Sequence, residues 1–319
     1  MTETAEFSHT PVMLEEILEV FAPVTDGVVV DATVGGGGHA GALLDAHQAI
    51  GLVGLDQDPA ALAASARSLA RHHDRVTLRR ARFDALAAEL DALGITTIAG
   101  VLFDLGVSSH QLDAGERGFS FRADGPLDMR MDPDSAPSAA ELVNELDEGA
   151  LARLLADLGD ERHARRIARA IIDSRPIETT GRLAEVVATA MPAASRRSPG
   201  HPARRTFQAL RIAVNSELDV LEPALRQAIA RLGPGGRGAV LSYHSGEDRI
   251  VKRVLRSAAG LDRSVPRGLP EPLDSEGPAI RLLHRGGRTP SEAEIAANPR
   301  AKAARLRSFE RLGDGEGGR

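Results

Sequence analysis

The sequence feature that most constrains the fold is a short apolar run that leads into four consecutive glycines. The run Val28–Val30 is followed by Asp31, and Gly35–Gly38 come three residues later. β-branched residues that end in an acid predict a buried strand, the glycines predict a tight turn, and the residues from His39 onward predict a helix. Glycine lets a ligand approach the backbone, and the first turn of a helix offers free N–H groups. We therefore expect a small molecule to bind at this turn.

The spacing of the glycines narrows the class of ligand. Gly36, Gly38 and Gly41 satisfy the pattern G-x-G-x-x-G, and Asp56 ends the next apolar run, where an acid can bind ribose hydroxyls. This pattern is compatible with nicotinamide, flavin or S-adenosylmethionine, and also with a plain turn. Dinucleotide folds pass almost directly from the strand to the first glycine, because the pyrophosphate must reach the helix. Asp31 lies earlier and suits the cationic amino-acid end of S-adenosylmethionine, which the sequence therefore favours.

Strands and helices alternate along the first third of the chain. Alternation of this kind predicts a parallel, doubly wound sheet, with ligands beyond the carboxyl ends of the strands, where Asp56 and Asp104 lie. A helix that begins at Pro11, with Thr10 as N-cap, is predicted to precede the sheet. The predicted strands are 28–32, 51–56, 75–79 and 99–105, and the predicted helices are 39–47, 59–70 and 84–93.

The alternation stops after Asp104. Residues 106–134 are rich in glycine, serine and aspartate and predict a long loop, and residues 138–215 predict helices only. Ser138 to Glu141 form a capping box, and Thr180 is a candidate cap of a later helix. We predict a sheet domain in two parts, 1–112 and 215–319, with a helical insertion at 113–214. In the second part the predicted elements are helix 216–231, a Gly-Pro-Gly-Gly loop at 233–236, strand 238–243, a helix capped by Ser245 that runs to 255, and strands 279–284 and 304–309.

The composition excludes several kinds of site. With no cysteine there is no disulfide, thiolate metal site or cysteine nucleophile. No H-x-x-x-H or H-E-x-x-H pattern is present, so no catalytic metal is predicted. The first residues lack the basic and apolar regions of a signal peptide, and no later stretch is apolar enough to span a membrane. We therefore expect a cytoplasmic protein without membrane contact.

Basic residues are concentrated in two places, although the net charge is −6. Between Glu185 and Glu217 there is no acid, and this segment is our candidate for contacts to RNA phosphates. A second set lies at helical spacing and predicts a mainly solvated face. The first set consists of Arg196, Arg197, Arg204, Arg205 and Arg211, and the second of Arg162, Arg165, Arg166 and Arg169.

Longer motifs along the chain resemble one known family. They occupy residues 9–14, 31–39, 102–109, 117–121, 124–132, 201–212, 242–245, 247–253 and 298–301. The chain resembles the ribosomal RNA small subunit methyltransferase H family, which methylates N4 of a cytosine in bacterial 16S ribosomal RNA. The resemblance implies an α/β, Rossmann-like class I S-adenosylmethionine-dependent methyltransferase sheet with an inserted all-helical domain. It also implies the 30S ribosomal subunit as partner, whereas the sequence leaves the choice between a monomer and a homodimer open.

The resemblance also assigns cofactor contacts, residue by residue. It implies that S-adenosylmethionine contacts Gly37, Gly38, His39, Asp56, Phe83, Asp104 and Gln111. The position of Asp31 adds that residue to the set. Phe83 can pack on the adenine ring or simply in the core, and Asp104 can face the cofactor or the target amine. Two residues depart from the family pattern, His110 where many relatives have proline and Gly246 where many have leucine.

The usual amino-methyltransferase motif, which would mark the catalytic residues, is missing from the sequence. That motif is an acid or asparagine followed by two prolines and an aromatic residue, and here Leu105, Gly106 and Val107 follow Asp104. Tyr243, the only tyrosine, and His244 are therefore predicted to act with Asp104. The target base must leave its stack, and we expect a pocket lined by residues 242–245 and by the long loop with Phe119 and Phe121.

Other functional classes stay open at this point. A nicotinamide-dependent reductase would need a proton donor such as Tyr-x-x-x-Lys, which does not follow the fourth strand. An RNA-binding module without catalytic activity could have lost the acids Asp31, Asp56 and Asp104, which are all present. A methyltransferase for DNA or for a small molecule is disfavoured mainly by the family resemblance and the helical insertion.

Overall fold

The computed structural model describes residues 11–135, 137–192, 201–262 and 277–313. The chain forms two compact units, one of residues 1–106 and 218–319 and the other of residues 107–217. The sequence predicts boundaries after residues 112 and 214. The first lies six residues after the boundary in the structure, and the second lies three residues before it. Among the described residues, no helix has the length and apolar composition needed to cross a membrane.

The first unit contains a seven-stranded sheet. Its order is β3-β2-β1-β4-β5-β7-β6, with β1 to β5 parallel and β7 antiparallel to both of its neighbours. The predicted α/β sheet is confirmed. The strand order reverses between β1 and β4, which is where doubly wound sheets bind ligands. The strands are β1 Gly27–Asp31, β2 Ile50–Asp56, β3 Val76–Arg80, β4 Ile98–Asp104, β5 Leu232–Ser242, β6 Ile280–Leu282 and β7 Arg305–Arg311.

Helices cover both faces of this sheet, because successive strand residues point to opposite sides. Val29 belongs to a buried cluster with residues of α1 and α2, and Val30 to a second cluster with residues of α4, α11 and α12. Burying a side chain of this size contributes about 1.5–3 kcal/mol to stability. The helices are α1 Leu14–Phe21, α2 Gly38–Ala46, α3 Pro59–Ser68, α4 Leu86–Ala92, α5 Ser109–Asp113, α6 Ala139–Glu145, α7 Glu148–Gly159, α8 Ala164–Asp173, α9 Thr180–Ala190, α10 Arg204–Asn215, α11 Leu221–Arg231, α12 Ser245–Ala258 and α13 Glu292–Ala297.

Several element ends in the first unit differ from the prediction. Helix α1 begins at Leu14 rather than Pro11, because Met13 adopts a left-handed conformation with a φ of 52°; the predicted cap Thr10 lies outside the described residues. Strand β5 begins at Leu232, and its pairing with β4 is irregular across the predicted loop 233–236. The predicted helix 216–231 begins only at Leu221.

The caps of two helices also differ from the prediction by one residue. Thr179, not Thr180, caps α9, because its side chain accepts a hydrogen bond from the N–H of Arg182. His244, not Ser245, caps α12. By contrast, the capping box of Ser138 and Glu141 at α6 is confirmed, with both of its reciprocal hydrogen bonds formed.

The second unit is helical, and the segment predicted as a long loop is part of its core. Residues 106–134 contain α5 but little other regular structure, and Phe119, Leu127, Met129 and Met131 are buried in this segment. Asn215 holds it in place: its side chain donates to the carbonyl of Met129 and accepts from the N–H of Met131, each at 2.8 Å. The segment is therefore packed by contacts that sequence periodicity does not reveal.

Candidate active site

The glycine turn joins the end of β1 to α2 and is tied to the end of β2. Gly35 and Gly37 have φ angles of 51° and 82°, which favour glycine. The N–H of Gly35 donates to Oδ2 of Asp56 at 3.0 Å, and a side chain at Gly37 would lie 2.6 Å from Oγ of Ser68. Packing and backbone conformation thus require glycine here, and the turn leads into the N-terminus of α2 at Gly38.

Two acids, the buried Asp31 and the partly buried Asp56, lie at the carboxyl ends of neighbouring strands. Burial raises the pKa of Asp31 to about 7, against the opposing effects of His39 and of the Thr33 N–H. Burial also raises the pKa of Asp56 to about 6, although the N–H groups of Asp58 and Gly35 donate to its carboxylate. Within the described part of the chain, neither acid pairs with an arginine or lysine. Buried carboxylates of this kind are suited to a ligand that brings positive charge or hydroxyl donors.

Asp104, at the end of β4, lies in a chain of polar side chains. Its Oδ1 accepts a hydrogen bond from the hydroxyl of Tyr243 at 2.7 Å, and its Oδ2 lies 3.5 Å from Nδ1 of His39. The backbone N–H of Asp104 donates to Oγ1 of Thr33 at 2.6 Å. The Asp104 side chain is 27% exposed, so part of the carboxylate remains accessible to a substrate.

Tyr243 follows β5, and its hydroxyl acts as a donor. Burial, followed by the charge and the hydrogen bond of Asp104, holds the pKa of Tyr243 well above its usual value. Its side chain is partly buried and its hydroxyl is held by Asp104, and the predicted catalytic role of Tyr243 stays a prediction.

His244 takes part in the cap of α12. Its Nδ1 accepts from the N–H of Gly246 at 3.2 Å, and its Nε2 lies 3.2 Å from Oε1 of Glu247. The buried Glu247 accepts from the N–H groups of Tyr243 and His244. The predicted catalytic role of His244 stays a prediction, and its contacts are those of a helix cap.

Phe83 and Gln111, the remaining predicted cofactor residues, belong to different units. Phe83 is half-buried and packs edge-on against Phe103, with ring centroids 5.9 Å apart. Gln111 belongs to the helical unit, where its Oε1 accepts from the N–H of Ser108 at 3.0 Å. Phe83 thus lies in the unit that contains the glycine turn, and the role of Gln111 stays a prediction.

The predicted RNA-binding arginines divide into three groups. Arg196 and Arg197 lie outside the described residues. Arg204 and Arg205 are exposed at the start of α10, where Arg205 also donates to the carbonyl of Asp160. Arg211 is largely buried, and its guanidinium makes two 2.8 Å hydrogen bonds to Glu217. Arg211 therefore has a structural ion pair, and a phosphate contact from it is disfavoured.

The prediction for Phe119 in the long loop needs correction, whereas that for Phe121 stays a prediction. Phe119 is buried in the core of the helical unit, so it does not line an open pocket as expected. Phe121 stacks on His201 with ring centroids 4.3 Å apart, and Phe207 packs edge-on against Phe121.

Sequence reasoning missed two residues of the site. Thr33 accepts a hydrogen bond from the N–H of Asp104. Its position between Asp31 and the glycines is the sequence feature that could have identified it. Glu247 supports the backbone of Tyr243 and His244, and its spacing of three residues from His244 is that of a capping box.

Comparison with known proteins identifies the family of the chain. The model of the MraW methylase family matches residues 6–312. A protein of Heliobacterium modesticaldum named ribosomal RNA small subunit methyltransferase H is 50% identical over 311 residues, covering 96% of this chain and 99% of that relative. A protein of Thermobifida fusca with the same name is 52% identical over 310 residues, covering 95% of this chain and 93% of that relative. The chain belongs to the MraW methylase family.

Proposed function

We propose that the protein transfers the methyl group of S-adenosylmethionine to N4 of a cytosine in the 16S ribosomal RNA of the small ribosomal subunit. The observation that carries the proposal is the likeness, along nearly the full length, to relatives named ribosomal RNA small subunit methyltransferase H. Family membership disfavours the nicotinamide reductase. We also propose that the protein is cytoplasmic and that it is a monomer or a homodimer.

The buried acids fit this cofactor. Asp31 would face its cationic amino-acid end, because the buried carboxylate pairs with no arginine or lysine of the described residues and a nearby positive charge would stabilise its ionised form. Asp56 would bind the ribose hydroxyls through oxygen lone pairs that the N–H groups of Gly35, Gln57 and Asp58 do not use. The turn of Gly37, Gly38 and His39 would lie against the cofactor and Phe83 against the adenine ring. The family resemblance adds Gln111 as a further predicted cofactor contact. When bound, the cofactor supplies an electrophilic methyl group.

The residues of the chain must then position and activate the amine. The exocyclic amine of cytosine is a weak nucleophile, since its lone pair is delocalised into the ring. Asp104 would accept a hydrogen bond from that amine through the exposed part of its carboxylate, while Tyr243 fixes the other part. Alignment of the reacting atoms supplies much of the rate in such displacements. Arg204 and Arg205, with Arg196 and Arg197, would contact RNA phosphates.

The test is incubation of the purified protein with methyl-labelled S-adenosylmethionine and 30S subunits from a strain that lacks its own enzyme. Nucleoside analysis should find the label as N4-methylcytidine. Asp104→Ala should lose the label even at saturating S-adenosylmethionine. Asp26→Asn, which changes an exposed aspartate at the opposite end of β1, is the control and should retain activity. Cofactor binding without label on subunits or free 16S RNA would refute the proposed substrate.

A further inference from the structure

The side chain of His39 is buried between a backbone carbonyl and the carboxylate of Asp104. Its Nε2 lies 2.9 Å from the carbonyl oxygen of Val12, and its Nδ1 lies 3.5 Å from Oδ2 of Asp104. Only 6% of the side chain is exposed. The imidazole therefore has two fixed neighbours, one at each ring nitrogen.

The neighbour at Nε2 determines the tautomer. A carbonyl oxygen only accepts hydrogen bonds, so Nε2 must carry a hydrogen to bind Val12. In the neutral ring Nδ1 then has a lone pair. This lone pair faces an oxygen of the Asp104 carboxylate, which is also an acceptor when ionised. The space between these two atoms is suited to one additional proton.

The other contacts of Asp104 keep its carboxylate in this orientation. The Tyr243 hydroxyl donates to Oδ1, and Thr33 accepts from the backbone N–H of Asp104. With Oδ1 engaged by Tyr243, Oδ2 is directed towards His39. Rotation of the carboxylate would break the hydrogen bond that it accepts from the Tyr243 hydroxyl.

We propose that Asp104 and His39 together accept the proton released by the target amine, with His39 acting as a positioning residue that stores the proton. This inference rests on the proposed methylation of a cytosine amine. The N4 lone pair forms the new N–C bond while the C–S bond breaks and its electrons stay on sulfur. The surplus proton on N4 passes to the Asp104 carboxylate and from there to Nδ1 of His39. The resulting imidazolium lies beside a regenerated carboxylate and returns its proton to water after product release.

The charges around the pair are consistent with this role. Asp31, on β1, interacts electrostatically with both His39 and Asp104, and Asp56, on β2, acts on Asp31. A protonated His39 would thus be stabilised by two carboxylates. Tyr243 experiences the charges of Glu247 on α12 and Glu294 on α13, which favour its neutral, hydrogen-donating form. The segment before α1 contributes the Val12 carbonyl.

Nuclear magnetic resonance of the full chain without RNA tests the arrangement directly. Long-range ¹H–¹⁵N spectra distinguish the two imidazole tautomers, and the His39 signals are assigned by their loss in His39→Gln. We expect hydrogen on Nε2 and a lone pair on Nδ1 of the neutral ring. Hydrogen on Nδ1 of the neutral ring would overturn the inference.

Single-turnover methylation of 30S subunits tests the role in the reaction. His39→Asn retains a polar group near Nδ1 but takes up no proton, so we expect a rate loss of about 100-fold at saturating S-adenosylmethionine. The wild-type rate should fall at low pH as the pair becomes protonated, and this fall should move to lower pH in the variant. An unchanged rate, or an unchanged pH profile, contradicts the inference.

A matched variant separates this role from general damage. His72, in the same unit, is also buried and also contacts a carboxylate, with its Nε2 2.9 Å from Oδ1 of Asp45. His72→Asn should lower the melting temperature without moving the pH profile. If the wild type forms no N4-methylcytidine, the proposed function fails and the role of the pair in that reaction fails with it. A wrong tautomer of His39 would overturn only the proposed proton transfer to the pair and would leave the proposed methylation untouched.

Discussion

Replacement of Gly37 by alanine should destabilise the sheet unit by an amount that the structure allows us to estimate. At a φ of 82° an L-residue costs about 1–2 kcal/mol more than glycine. The new Cβ would lie 2.6 Å from Oγ of Ser68, which donates at 2.6 Å to the carbonyl of Gly36. If Ser68 rotates away, that hydrogen bond is lost, at a cost of about 1 kcal/mol.

The total is about 2–3 kcal/mol, which for a unit of this size corresponds to a melting-temperature decrease of roughly 5–10 °C. Differential scanning calorimetry of Gly37→Ala measures it, and titration with S-adenosylmethionine should show weaker binding. Gly36→Ala is the control, since a Cβ at Gly36 has nothing within 4 Å and we expect a change within about 0.5 kcal/mol.

A double-mutant cycle tests the assigned cause. In a Ser68→Ala background the close contact with the hydroxyl is absent, so Gly37→Ala should cost about 1 kcal/mol less than in the wild type. Equal destabilisation by Gly36→Ala and Gly37→Ala would refute the reasoning. An identical cost in both backgrounds would refute the part assigned to Ser68.

Three further predictions concern charge. Asp31 and Asp56 have folded pKa values of about 7 and 6, above the ordinary 3.8, so the stability that their protonated forms contribute is present at low pH and is lost as the pH rises through 6 and 7. The ligand-free wild type should therefore gain more thermal stability than Asp31→Asn between pH 8 and pH 6, and equal gains would argue against the raised pKa of Asp31. Arg204→Ala should weaken RNA binding and reduce the slope of log affinity against log salt by about 1. Arg211→Ala should instead lower stability by about 3 kcal/mol in chemical denaturation, because it leaves Glu217 buried without its partner; an unaltered midpoint would contradict this.

Local patterns in the sequence were sufficient to predict the sheet. The β-branched run before Asp31, the glycines and the alternation of strands and helices each reflect a short-range rule of backbone geometry. The acids at the strand ends followed from the same rules, since parallel strands bring their carboxyl ends to one edge. Element ends were less predictable, as at Met13, where the left-handed conformation accompanies a hydrogen bond from its N–H to Glu294, 281 residues away.

Contacts between distant residues could not be predicted in this way. Tyr243 and Asp104 are 139 residues apart, and no periodicity relates them to each other or to His39. The ion pair of Arg211 with Glu217 is a second example, because the sequence shows both residues but not that they form a pair.

The sequence by itself determined the fold class, the glycine turn and the acids beside it, because these depend on backbone conformation and on residues close together in the chain. Only the tertiary structure decided which partners these side chains have. It packed residues 106–134 into a core, and it brought His39, Asp104 and Tyr243 into contact. The physical reason is that burial and hydrogen bonding depend on the three-dimensional arrangement of the whole chain, which local patterns do not record.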